Sequence, residues 1–193
     1  MVQSSRAATG TLHPDSAPAR VFALLDGSLA SATIELFKSY DISVTRTPVQ
    51  PPEDREACIV ASIGFTSEKA RGTLWLIVPT AAPQSWRRDE GALGPDEALD
   101  TVGEFSNMLL GQLKNKMLAN GLVLVMATPS TTFGDPVRVR RPAGPAVVHS
   151  FASGAGPIEV RLHASFDPDF ALALTSARRG CSQPPNTREM MFL

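Results

Sequence analysis

Four residues of one stretch could act together on a ligand. In Asp96–Gly121 the chain reads DEALDTVGEFSNMLLGQLKNKMLANG. An α-helix turns ~100° per residue, so Asp100, Glu104, Asn107 and Gly111 project within ~60° of one another. One line therefore presents two acids, a carboxamide and a bare stretch of backbone. A carboxamide can hold a water through both its oxygen and its nitrogen. That suits positioning an attacking water for phosphoryl hydrolysis, where catalysis is mostly orientation and charge stabilisation. A carboxylate one turn away suits docking to a lysine. An ordinary solvated helix face would carry similar residue types. Two features depart from one. No Glu–Lys ladder at i,i+4 runs along the line, and Gly111 sits mid-helix at a cost of ~1 kcal/mol relative to alanine.

The helix that carries this line is well marked. Gly94–Pro95 and the acidic first turn, Asp96 and Glu97, open it, with proline at a first helical position and carboxylates opposing the helix dipole. Asn120–Gly121 suits a left-handed C-cap. Val102, Ser106, Leu109 and Leu113, flanked by Leu99, Leu110 and Met117, form an apolar stripe on the opposite side.

Around it the chain alternates between patterns. Ala17–Tyr40 predicts a first helix, with Val21, Leu25, Leu29, Ala32 and Leu36 on one face and a kink or split at Asp26–Gly27. Ile42–Pro48 reads as a short strand, and Pro48–Arg55 as a loop. Ala57–Phe65 and Gly72–Val78 read as a hairpin. Pro79–Pro95 reads as a long loop anchored by Trp86. Leu122–Ala127 is a fully apolar strand leading into a turn-rich TPSTTFGDP. Ala146–Phe151 and Ile158–Ser165 flank SGAGP as a second hairpin, and Val137–Arg141 looks like an exposed, charged edge. Asp167–Arg179 fits either strand or helix. The expected fold class is α+β: an antiparallel sheet covered on one face by two long helices. The repeated order of helix, strand, loop and strand hints at internal duplication. Residues 17–179 form the expected domain, between tails at 1–16 and 180–193.

Composition narrows the function. With 193 residues and 43% hydrophobic residues the chain can build one sizeable core. A net charge of -1 favours neither nucleic acid nor an anionic membrane. No cleavable signal and no apolar run of ~20 residues is present, and Cys58 and Cys181 form no cluster. A reducing cytoplasm fits. Cys181 and Arg188 miss the spacing of a cysteine phosphatase loop by one residue. Asp167–Pro168–Asp169 has Ala171 where an aspartyl-phosphate enzyme needs a hydroxyl. His13, His149 and His163 lack ligand spacing, so no metal site is expected, and no phosphate-binding glycine loop occurs.

Asp100-Thr-Val-Gly-Glu104-Phe-Ser-Asn107 resembles the motif helix of the CheC/CheX/FliY chemotaxis phosphatases. The continuation Met108-Leu-Leu-Gly111-Gln-Leu-Lys114, the turn from Pro129 to Gly134 and the hairpin at Ile63-Gly64-Phe65 extend the likeness over roughly residues 17–166. The resemblance implies a phosphatase acting on the aspartyl phosphate of a CheY-like response regulator. It implies that Glu104 contacts the regulator's lysine and Asn107 aligns the water, with Asp100, Met108 and Gly111 in partner binding. The Mg2+ would belong to the regulator, and this chain would need no cofactor. The first helix offers Glu35-Leu-Phe-Lys38, with lysine in the asparagine's place, so a single site of the CheX type and a homodimer are implied. A non-catalytic regulator-binding adaptor, like a flagellar-switch component, is the alternative on the same fold.

Overall fold

The β-branched run CIVASIGFT and the alternating ARGTLWLIVP fold back on each other across a three-residue turn. There Ser67 Oγ accepts the amides of Lys69 (3.1 Å) and Ala70 (2.8 Å), a local substitute for ladder hydrogen bonds. They form β2 (Cys58–Thr66) and β3 (Ala70–Pro79) of a computed structural model that describes residues 17–49, 57–87, 91–134 and 146–167. A second hairpin, β6 (Ala146–Ser153) and β7 (Gly156–Phe166), closes through Gly154–Ala155, with Gly156 at φ 109°. Short β1 (Thr45–Thr47), β4 (Val125–Met126) and β5 (Ser130–Gly134) complete an antiparallel sheet. Its order is β1-β6-β7-β3-β2-β4, with β5 also paired to β2.

The helices are α1 (Ala17–Ser39), the short α2 (Ala82–Trp86) and α3 (Pro95–Leu118). Ile59, Ala61 and Ile63 of β2, Leu74, Leu76 and Val78 of β3, and Ile158, Val160 and Leu162 of β7 share one core with the apolar faces of α1 and α3. Strand residues two apart lie on the same face, so these nine line one side of the sheet. The five α1 residues read from the sequence as its apolar face are all buried.

The duplication hinted at in the sequence is visible in the topology. The first half is α1, β1 and the β2–β3 hairpin; the second is α3, β4 and the β6–β7 hairpin with β5 as an extra strand, and β7 meets β3 at the centre. The two long helices also end alike. Tyr40 and Ile42 both donate their amides to Phe37 O, as Asn120 and Leu122 do to Met117 O. Asp41 (φ 61°) and Gly121 (φ 79°) occupy the left-handed position. That register sets Leu24 opposite Glu104 and Gly27 opposite Asn107. The counterpart of the motif in α1 is therefore an apolar side chain and a glycine, three turns before the Glu35–Lys38 pair that the sequence suggested.

Several boundaries differ from the sequence reading. α1 runs unbroken through Asp26–Gly27. The loop Pro79–Pro95 holds α2. Leu122–Ala127 is a strand only at Val125–Met126, and the turn-rich segment after it contains β5. The two tails, the edge at Val137–Arg141 and the stretch after Asp167 lie outside the described residues.

Candidate functional site

α3 begins with its end groups satisfied. The Gly94 amide donates to Glu97 Oε2 at 2.9 Å and the Ala98 amide to Gly94 O at 3.0 Å. Pro95 has no amide proton to lose, and Asp96 and Glu97 oppose the dipole. Val102, Phe105, Ser106, Leu109, Leu110, Leu113 and Met117 are buried. With that stripe fixed to the sheet, Asp100, Glu104 and Asn107 are left exposed on the other side. Among the described residues, none of these three makes a side-chain hydrogen bond or ion pair. Each is free to engage something outside the chain.

Two glycines lie on this helix for different reasons. A Cβ on Gly111 would meet nothing within 4 Å, so the backbone there is open to an approaching surface. A Cβ on Gly103 would stand 3.3 Å from Thr131 Cγ2 and 3.9 Å from Pro129 Cγ. Gly103 therefore lets the segment leading into β5 lie close against α3. The sequence reading passed over this residue. Its only signal was a second glycine in the same helix, one turn before Asn107.

On the other flank, Tyr40 reaches across from the end of α1. Its ring lies 4.8 Å from Phe105 and its hydroxyl donates to Met108 Sδ at 3.1 Å. Phe105 packs in turn on Trp86 (4.5 Å) and Phe37 (5.5 Å). Trp86 is the anchor expected of it. Tyr40 was missed, although the chain's single tyrosine just past an amphipathic helix was a signal available in the sequence.

The face protrudes. A groove of about 620 Å³ lies at the hairpin end of the sheet, lined by Gly64, Arg71, Thr73, Val125 and His163 among others. None of Asp100, Glu104 or Asn107 lines it. Among the described residues no cluster of His, Cys, Asp and Glu could hold a metal ion. No described helix is long and apolar enough to cross a membrane. What α3 offers at Glu104 and Asn107 is an exposed carboxylate and an exposed carboxamide one turn apart.

Residues 59–153 match the family described as chemotaxis phosphatase CheX. The match bears out the resemblance to the CheC/CheX/FliY family read from the sequence. That stretch includes all five site residues read from the sequence. Solved structures share the fold. The chemotaxis protein CheX from Vibrio vulnificus is 18% identical, with a TM-score of 0.63 over 73% of this chain and 99% of that one. CheX from Desulfovibrio desulfuricans is 19% identical over the same shares, also with a TM-score of 0.63. CheX of Borrelia burgdorferi, solved as a complex with CheY, BeF3 and Mg2+, is 13% identical, with a TM-score of 0.52 over 74% of this chain and 96% of that one. No curated protein matches the sequence. The family is a phosphatase family, and the expected α+β fold is the one observed.

Proposed function

We propose that this chain hydrolyses the aspartyl phosphate of a CheY-like response regulator by inserting Glu104 and Asn107 into the regulator's active site. One observation carries this reading. Glu104 and Asn107 are exposed and uncommitted on a helix whose opposite face is packed into the core. Groups held that way complete a site belonging to another molecule. The family match and the CheX–CheY complex of Borrelia burgdorferi support the choice of partner.

In this mechanism Glu104 pairs with a lysine of the regulator and fixes the register of docking. The Asn107 carboxamide accepts a hydrogen bond from the attacking water and holds it in line with phosphorus. The water oxygen bonds phosphorus as the bond from phosphorus to the aspartyl oxygen breaks. The aspartate leaves as a carboxylate, and the water's protons pass to the released phosphate and to solvent. Mg2+ bound by the regulator neutralises phosphoryl charge; this chain supplies orientation. Asp100, Met108 and Gly111 flank the two working residues as partner contacts. We place the protein in the cytoplasm, where response regulators act, and assign it a homodimer, which sizing chromatography tests.

The deciding measurement is phosphate release from a phosphorylated receiver domain by wild type and Asn107→Ala. The variant is expected to lose on the order of 100-fold in rate while keeping its affinity. Equal rates would remove the role given to Asn107. Saturable binding without any hydrolysis would make the chain an adaptor.

A further inference from the structure

Tyr40 follows the last residue of α1, yet its side chain belongs to the motif face of α3. It touches Phe105, the residue after Glu104, and Met108, the residue after Asn107. The Phe37–Trp86–Phe105 cluster behind it is buried, while 41% of Tyr40 itself is exposed. A ring held this way has little rotational freedom left to lose on binding. Its hydroxyl is already engaged by the Met108 thioether, so the pair presents mainly apolar surface.

The first half of this helix face is acidic, with Lys114 further along the same line. Asp96, Glu97, Asp100 and Glu104 are all exposed. Exposed charges steer encounter and set orientation, while lasting complexes depend on a few well-packed apolar anchors, with Tyr frequent among them. Tyr40 and Met108 supply apolar surface next to the working residues.

We propose that Tyr40, backed by Phe105 and paired with Met108, is the anchor on which the phosphorylated receiver seats while Glu104 and Asn107 enter its active site. The matching receiver surface is an aliphatic or aromatic side chain bordering that active site. The inference rests on the hydrolysis reading above. The occupant follows from continuity, because whatever engages Glu104 and Asn107 lies against the residues that Tyr40 touches. A second copy seated on Tyr40 would block the same face. Tyr40 touches neither the water nor phosphorus, so it governs affinity and leaves the chemical step alone.

The test uses the full chain and a CheY-type receiver domain, phosphorylated for turnover and beryllofluoride-loaded for binding. Tyr40→Ala is expected to raise both KM and the dissociation constant about 10-fold with kcat little changed. Tyr40→Phe keeps the ring and stays near wild type. Asn107→Ala does the reverse, losing kcat and keeping affinity. Should Tyr40→Ala fold poorly, Met108→Gln leaves the aromatic cluster intact and is expected to weaken binding in the same way. Folded variants with unchanged KM and affinity overturn the anchor, even if wild type hydrolyses normally. Wild type that binds without hydrolysing overturns the mechanism alone, and Tyr40 is then judged on affinity. Wild type that neither binds nor hydrolyses overturns both.

Discussion

Lys116 of α3 holds its ammonium 2.9 Å from the Glu35 carboxylate of α1, while Glu104 on the same helix faces no cation among the described residues. The Ser31 hydroxyl donates to Glu35 at 2.6 Å. That hydrogen bond and then Lys116 hold the Glu35 carboxyl below its ordinary value of 4.5. One glutamate is spent on joining two helices; the other is kept for a partner.

The two carboxylates should therefore separate by assay. The lowered folded value means that Glu35 contributes stability above pH 4.5, and loses it as pH falls through the lowered folded value. The pair is exposed, so Lys116→Ala should cost only about 0.5 kcal/mol, and less in high salt. It should leave hydrolysis unchanged. Glu104→Gln should do the opposite, reducing kcat/KM by about 10-fold with no shift in the denaturation midpoint. Denaturant titrations in low and high salt, beside receiver turnover, check both. A Glu104→Gln variant with normal turnover would detach that residue from docking.

The motif was legible because it lies on the most regular element. α3 has a strict apolar period, marked ends and a glycine on its polar side, and those features alone place its exposed line. The hairpins were legible from β-branched runs and their turns. What the sequence hid depends on contacts between distant segments. Ser130–Gly134 has the composition of a turn, and only pairing with β2 makes it a strand. Glu159 and Arg161 alternate with apolar residues and look solvated. They are buried, and pair with each other. The end of α1 gives no sign that Tyr40 crosses to Met108, because that contact spans the packing of two helices.

Gly103 and Gly111 make opposite predictions from one helix. Gly111→Ala should stabilise by about 1 kcal/mol, because the space beyond is open and alanine is the better helix former. Gly111→Leu should fold and bind the receiver more weakly, since the bulk stands on the docking face. Gly103→Leu would drive its side chain into Thr131 and Pro129, which should cost about 1–3 kcal/mol. Thermal melts and receiver binding on the three variants check this. Unfolding by Gly111→Leu would mean that its face is buried and not available to a partner.

His149 makes stability depend on pH. It sits on β6 beneath α1, 1% exposed, with Nε2 at 3.1 Å from Asp26 O. Donation from Nε2–H leaves Nδ1 as the bare nitrogen, and Nδ1 has no partner among the described residues. Protonation would bury an unpaired N–H there. Burial lowers the His149 pKa below its ordinary 6.5. The Asp26 carboxylate opposes that shift, and Arg46, which pairs with Asp26, adds to it. The unfolded chain thus takes up the proton first. Stability is full above about pH 6.5 and falls as pH drops from there toward the folded value, by up to about 1.4 kcal/mol per unit. His149→Phe should flatten that slope. Identical slopes in urea titrations across this range would place the titrating group elsewhere.

Ser106 is the one polar residue on the buried stripe of α3 between Val102 and Met117, and it is fully buried. Its hydroxyl has no hydrogen-bond partner among the described residues. A buried hydroxyl without a partner carries a desolvation penalty, on the order of 1–3 kcal/mol in protein substitutions. Alanine removes that group, leaves almost no cavity, and is the better helix former. Ser106→Ala is therefore expected to stabilise by about 1 kcal/mol, raising Tm by roughly 2–4 °C for a chain of this size. Receiver turnover should not change, because Ser106 points into the core while Asn107 beside it points out. A lower Tm would overturn this reading and mean that the hydroxyl makes a net stabilising contact. In that case the same substitution should slow turnover too, because the helix that holds Asn107 would have lost that contact.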